Sequence, residues 1–270
     1  MKIIVIYFLL FQSILGVAQE IITKTIETEF INSFNLDADE FIGTDDFENI
    51  YYIKNNVIYK KTALKTYTYS NTQFGGISSI DIKNPLKILL FYSDFNTAII
   101  LDNNLNELTS PINFTSESFS KNISFSSISS NNNLWLFSLD DNIIRLWNYQ
   151  TKKVQFASQP ATFYVENFET LQQLSSYKNC WLFGDNVMLK FNEYGTFGGV
   201  FEIDKFDEVH FSENNIIFSN NNRLIIYDSE LESLPIKLNQ EILIKSFYFN
   251  KNQIYIFDGL KIFVFKIIKI

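Results

Sequence analysis

The sequence predicts an all-β fold built from six similar units, a six-bladed β-propeller, and three observations carry that expectation. A polar, Asn-rich turn followed by an aromatic or aliphatic run recurs six times. The second residues of these runs fall at 50, 88, 134, 180, 216 and 254, so successive units begin 36 to 46 residues apart. Four-stranded propeller blades repeat at roughly 40–45 residues. The runs are rich in β-branched and aromatic residues, lack helical spacing, and are almost continuously apolar, as strands covered on both faces are.

Each unit reads as four strands, a to d from the centre outward. Strand a is short and partly alternating, as in Ile77–Ile82 and Ile123–Ile128. Strand b is the recurring run: 49–53, 87–91, 133–137, 179–183, 215–218 and 253–257. After a tight polar turn comes strand c, at 57–59, 98–101, 143–147, 187–191, 224–227 and 262–265. Strand d is more polar, as suits a rim; 65–69 and 234–238 are examples. Residues 34–40 and 160–173 are the two places with room for a helical turn. The last unit supplies only a, b and c before Ile270, while Ile21–Ile31 lies outside the first unit and alternates in part. The expectation is that this N-terminal strand serves as strand d of the sixth unit, which also covers an open sheet edge.

The N-terminus reads as a secretory leader: Lys2, an apolar run Ile3–Phe11, and small residues Gly16 and Ala18 placed for cleavage before Gln19. The expected organisation is a signal peptide at 1–18 and one propeller domain at 19–270. The apolar run is shorter than the ~20 residues that span a bilayer, so a membrane anchor is not expected. Removing Lys2 with the leader takes the net charge from −8 to −9, and the pI is about 4.8. Such a chain is not expected to bind nucleic acid or anionic lipid, because both need clustered Lys and Arg. Cys180 is the only cysteine, so no internal disulfide forms; in an apolar run it reads as a buried thiol.

Two units resemble a known repeat. Asn133-Leu134-Trp135-Leu136 followed by Asn142-Ile143-Ile144-Arg145-Leu146-Trp147-Asn148, and Asn179-Cys180-Trp181-Leu182 followed by Val187-Met188-Leu189-Lys190-Phe191-Asn192, resemble the two-component-regulator type of propeller repeat. Tyr227-Asp228 ends a weaker copy. The resemblance implies an exported propeller of the Gram-negative envelope, in a sensor or in surface machinery. The family's turn glycines are mostly missing, since the chain has 9 Gly.

No phosphate loop, EF-hand, multi-His site or nucleophile elbow is present, and no cofactor or metal is expected. His210 is the one histidine. The most regular polar feature is the b–c turn, whose carboxylates Asp94, Asp140, Asp141, Asp185 and Asp258 are the candidate binding residues. The same turns also read as hairpin chemistry, because Asn, Asp and Gly accept positive φ. Trp135 and Trp181 sit at equivalent places and read as packing between units. The expected function is a non-catalytic scaffold in the periplasm or cell envelope that holds a protein partner. Two alternatives remain open. One is a metal-dependent lactonase- or hydrolase-type enzyme using Asp45, Asp81 and His210 at strand a ends; the other is a carbohydrate-binding propeller using Phe95 and Tyr177. The leader has a direct check: the intact mass of the exported protein is expected to match a chain starting at or near Gln19, and retention of residues 1–18 overturns that expectation.

Overall fold

A computed structural model describes residues 25–117, 120–212, 215–227 and 233–269. The expected leader, residues 1–18, lies outside them. Almost everything described is strand and turn. Four antiparallel four-stranded sheets are formed by β2–β5 (Glu40–Thr44, Ile50–Lys54, Val57–Lys61, Thr66–Tyr69), β6–β9 (Ser79–Asp81, Ile88–Tyr92, Thr97–Leu101, Ile112–Asn113), β10–β13 (Phe125–Ile128, Asn133–Ser138, Ile143–Asn148, Lys153–Ala157) and β14–β17 (Gln172–Ser175, Asn179–Phe183, Val187–Asn192, Phe197–Glu202). The remaining strands are β1 (Ile26–Asn35), β18–β21 (Glu208–Ser212, Asn215–Asn220, Arg223–Tyr227, Ser233–Lys237) and β22–β24 (Ser246–Asn250, Gln253–Phe257, Lys261–Lys269). They make one eight-stranded sheet in the order β18-β19-β20-β21-β1-β24-β23-β22. Its two halves meet only through a short parallel pairing, Ile26 with Ile236 and Glu27 with Lys237.

The N-terminal strand pairs antiparallel with β24 and runs later in the chain than the expected 21–31. The pairing extends from Glu27 opposite Lys269 to Asn35 opposite Lys261, with a bulge that leaves Ile31 without a partner. Ile26 is buried among Ile217, Leu224, Ile236 and Ile267, and the Phe30 ring meets Phe265 edge-on at 5.7 Å. Residues 34–40 hold no helical turn: β1 continues to Asn35 and β2 begins at Glu40, because backbone pairing with β24 satisfies this stretch as strand. A single α-helical turn does form at Ala161–Tyr164.

Six apolar clusters among the described residues hold the sheets together, each shared by two sheets or by the two halves of the eight-stranded one. Because side chains alternate along a strand, one strand feeds two clusters. Leu134 and Leu136 face Leu89, Phe91 and Ile100, whereas Trp135 and Phe137 face Cys180, Leu182 and Leu189. Trp181 and Phe183 pack against Ile216 and Phe218. Phe41 of the first sheet packs against Tyr255, Phe257 and Ile262 of the last strands, and Tyr51 and Ile58 against Ile88, Leu90 and Ile99. Both tryptophans are thus packing residues, as read from their equivalent positions. Cys180 is fully buried, and that burial pushes its thiol pKa well up.

The turns explain the Asn-rich composition. Asn55, Asn56, Asn96, Asn142, Asn221, Asn222 and Gly259 all sit between strands b and c with positive φ, the conformation that tight hairpins require. The 184–186 turn has no positive-φ residue.

One ion pair is fully buried. Lys60 on β4, 1% exposed, faces the Asp45 carboxylate at 3.6 Å and donates to the Asn103 carbonyl at 3.1 Å and to its amide oxygen. Asp45 also accepts from the backbone N–H of Phe47 and Asn49 and from the Tyr51 hydroxyl, each at 3.0 Å. Desolvation of both ions is offset only because so many hydrogen bonds converge on them.

Deleting residues 19–33 is expected to lower the melting temperature and cause aggregation. It removes backbone bonds contributing about 0.5–1.5 kcal/mol each and bares the apolar edge of Ile262–Phe265 on β24. Thermal unfolding with light scattering tests this; a truncated chain that melts like the full one overturns it.

Candidate channel site

The first strand of every four-stranded unit borders one cavity of about 410 Å³. Its walls include Glu40 and Ile42 from β2, Ser79 and Asp81 from β6, Ser126 and Ser127 from β10, Gln173 and Ser175 from β14, Glu208 and His210 from β18, and Tyr248 from β22. A second cavity of about 360 Å³ is lined by Asp45, Asp46, Pro85, Ser176, Tyr177, Asn250 and Lys251. The two share Ile82, Lys83, Ser175, Phe211 and Tyr248, which therefore form the waist of a central channel. Small and polar residues predominate on these innermost strands because their side chains converge on the axis.

A hydrogen-bonded bridge crosses the waist. Lys83 Nζ meets the Asp81 carboxylate at 2.6 Å and donates to the Ser175 hydroxyl at 2.7 Å and its carbonyl at 3.1 Å. Asp81 also accepts the backbone N–H of Ile128 at 2.8 Å. The hydroxyls of Ser175 and Ser127 lie 2.7 Å apart, and the Gln173 amide nitrogen donates to Ser127 at 2.8 Å. Three successive sheets are joined in this way. Opposite, the Tyr248 ring lies against Gly43, where a Cβ would come within 2.5 Å of it. Gly43 sits at a bulge with φ +147°, so no other residue leaves that ring in place. Burial and the nearby Asp81, Asp46 and Asp45 carboxylates push the Tyr248 phenol pKa up.

On the same side of the channel, His210 Nε2 lies 3.0 Å from Glu208 Oε1, and Glu208 Oε2 accepts the Phe247 N–H at 3.2 Å. The Glu40 carboxylate makes no hydrogen bond or ion pair among the described residues. Partial desolvation and the Glu208 charge raise its pKa, with Lys245 opposing. Asp81 and His210 thus line one cavity, while Asp45 borders the other and is tied up with Lys60. Among the described residues, no three His, Cys, Asp or Glu side chains come together in a way that would hold a metal ion.

The five turn carboxylates lie elsewhere, on the b–c turns at the end of the sheets where the larger cavity opens. Asp94 is exposed on a 3₁₀ turn. Asp140 accepts the Asn122 N–H at 3.1 Å. Asp141 is held by Arg145 at 2.5 Å and Lys121 at 3.5 Å. Burial raises its carboxyl pKa, but these two cations outweigh that and leave it below the usual range. Asp185 pairs with Lys205 at 2.8 Å, and Asp258 caps its own turn through the N–H groups of Leu260 and Lys261. The five do not converge on one point; they are spread around a face. Phe95 sits at this end and Tyr177 at the opposite one, so they form no shared platform.

The d–a connections also end on this face. Between the strands that meet here lie Asp37, Asp39, Asp94, Glu117, Asp140, Asp141, Glu166, Glu169, Asp185, Asp204, Asp207, Glu241 and Asp258, thirteen carboxylates with Lys121, Lys205 and Lys245 in the same connections; Lys54 pairs with Asp37, Arg145 with Asp141 and Lys152 with Glu117. At the opposite end, the described connections carry Asp45, Asp46, Glu48, Asp102, Glu107 and Glu193 with Lys65, Lys83, Lys87, Lys152, Lys178 and Lys251; Glu213, Asp228, Glu230 and Glu232 lie outside the described residues and are not in this count.

This arrangement of sheets around a central channel is a β-propeller, and solved propeller structures superpose on it. Virginiamycin B lyase from Staphylococcus aureus aligns with a TM-score of 0.57 at 12% identity, over 91% of this chain and 96% of that one. The Myceliophteria thermophila Cps50 (Swd1) β-propeller domain aligns at 0.58 and 8%, over 89% and 99%. The extracellular domain of a putative one-component system from B. thetaiotaomicron aligns at 0.54 and 11%, over 85% and 34%. At such identities the likeness is one of fold. No protein-family model and no curated protein matches the chain. Among the described residues, no helix is long and apolar enough to cross a membrane.

The waist bridge makes a measurable claim. Lys83→Met strands the Asp81 carboxylate and is expected to cost about 1–3 kcal/mol of unfolding free energy. Adding Asp81→Asn should recover part of that loss, whereas additive losses in denaturant melts would show that the two side chains are uncoupled.

Proposed function

We propose that the chain is an exported, non-catalytic β-propeller that serves as a protein-interaction scaffold in the periplasm or cell envelope. In this reading residues 1–18 are a cleaved leader, and 19–270 form one six-bladed ring closed by the N-terminal strand. The pairing of β1 with β24 and the packing of Phe41 against Phe257 support the closure.

The observation that carries the function is the density of carboxylates at one end among the described residues. Thirteen connecting carboxylates lie at this end with three lysines in the same connections, and Lys54, Arg145 and Lys152 pair with Asp37, Asp141 and Glu117. Interleaved with them are exposed apolar side chains, Phe95, Leu139, Phe163, Leu171, Leu243 and Leu260. An acidic field steers a basic partner toward the surface, and apolar tips within it supply area to bury on contact. The partner is therefore a protein with a basic face. Asp94, Asp140 and Asp185 are the turn carboxylates best placed to meet it, since Asp141 and Asp258 serve their own hairpins. Association should weaken as salt rises.

Photo-crosslinking from each end tests this reading. A crosslinker at Phe163 or Leu260 is expected to yield a discrete protein adduct in envelope preparations, and one at Leu64 on the opposite end should not. Asp94→Lys combined with Asp140→Lys should reduce the adduct with the melting temperature unchanged. Equal adducts from both ends, or none from the acidic end, sink the proposal.

A further inference from the structure

The end of the disc away from the acidic face holds a small cavity between the second and third sheets, of about 170 Å³. Lys87 is the one charged residue in its lining. The Lys87 ammonium donates to the Asn132 amide oxygen and forms no ion pair among the described residues. Asn132 is fixed from two other sides. Its Oδ1 also accepts the Tyr149 hydroxyl at 2.9 Å, and its Nδ2 donates to Gln150 Oε1 at 3.0 Å. The lysine is therefore held in place without being neutralised. Asn131 and Asn132, which border the same cavity, form the tip of a tight turn, both at positive φ, closed by the Asn133 N–H on the Ser130 carbonyl at 3.0 Å. Their own N–H groups meet no acceptor among the described residues. An ammonium beside free backbone N–H groups is a donor set for a phosphate or carboxylate.

A second observation concerns the apolar tips around this cavity. Leu86, next to Lys87 in sequence, is 66% exposed. Tyr177, also in the lining, is 43% exposed, with its hydroxyl held on the Lys83 carbonyl at 3.1 Å. Each is followed by a lysine, and the pattern recurs across this end: Leu64, 96% exposed, precedes Lys65, and Ile268, 62% exposed, precedes Lys269. At the acidic end Leu260 alone precedes a lysine, whereas Phe95 follows Asp94 and Leu139 precedes Asp140. Single exposed apolar residues are ordinary. Apolar tips each followed by a lysine suit a bilayer surface, where the apolar group enters the headgroup boundary and the lysine stem reaches back to the phosphates. A free anion would occupy the cavity and leave these tips in water, so the two observations together select a lipid.

We propose that this end of the disc docks on a phospholipid bilayer. A headgroup phosphate is held by Lys87 and the turn at Asn131 and Asn132, while Leu64, Leu86, Tyr177 and Ile268 enter the interface. Apolar insertion drives the contact, so it does not need the clustered basic residues that an anionic surface demands. Docking on lipid is independent of the partner read from the acidic face, which a docked disc would hold away from the bilayer.

Flotation of the folded chain with phosphatidylcholine vesicles tests this. The parent is expected to float with the vesicles. Lys87→Met should weaken partitioning about tenfold, the loss of one charge-assisted hydrogen bond, and Lys87→Arg should retain it. Leu64→Ser combined with Leu86→Ser should abolish flotation with an unchanged melting temperature, because both side chains are exposed. Leu260→Ser at the acidic end should leave flotation as it is. No flotation of the parent, unchanged partitioning in Lys87→Met, or an equal loss in Leu260→Ser overturns the docking surface. Release of the parent from vesicles by inorganic phosphate at constant ionic strength overturns the lipid in favour of a free anion.

Discussion

The pairing of β1 with β24 is the constraint on which the rest of the molecule depends. It joins residues near opposite ends of the chain, Glu27 with Lys269 and Asn35 with Lys261. Each backbone bond contributes only modestly, yet together they cover the edge of the last strands and fix the first sheet beside them. The bulge at Ile31 lets the strand keep pairing while its twist changes. Phe41 and Phe257 can then share one cluster. Without that contact the first and last sheets would each expose an apolar face.

The second organising fact is that strands b and c are covered twice. Leu134 and Trp135 are neighbours in sequence but belong to different clusters, on opposite sides of the same sheet. This buries most of the apolar residues of strands b and c, and polar residues are concentrated in two other places. One is the connections, where Asn at positive φ closes the hairpins. The other is the innermost strands, whose serines, glutamines and few charges meet at the axis. The channel is of mixed character: Ile42, Ile80, Phe125, Leu174 and Phe211 line it beside the serines, glutamines and charges.

Electrostatics follow from the same topology. All b–c turns and d–a connections emerge at one end, so a bias in those segments becomes a field across a whole face. Two local pairs show how the fold handles individual charges. Asp45 and Lys60 are buried with a full set of hydrogen bonds, whereas Glu40 stands at the channel mouth next to Glu208 with no ion-pair partner.

Much of the fold was legible because its signals are local. Strand b at 133–137 and 179–183, the hairpin asparagines and the inter-sheet role of Trp135 and Trp181 all follow from periodicity and turn preference within a few residues. A strand near the N-terminus was legible from its partial alternation, but its boundaries were not. Its register comes from contact with β24, more than two hundred residues away, which extended it to Asn35 and left no helix at 34–40. The turn carboxylates could be named from sequence, since each repeats at the same place in its unit. The acids of the d–a connections could not be grouped with them, because those segments vary in length and share no pattern. Nor could the channel: Glu40, Gln173 and Glu208 lie far apart in the chain on strands too short to show which side chain points inward. Sequence determined the units and their turns, which depend on neighbours along the chain. The tertiary structure alone decided which polar groups meet at the axis, because that depends on how six strands are brought around it.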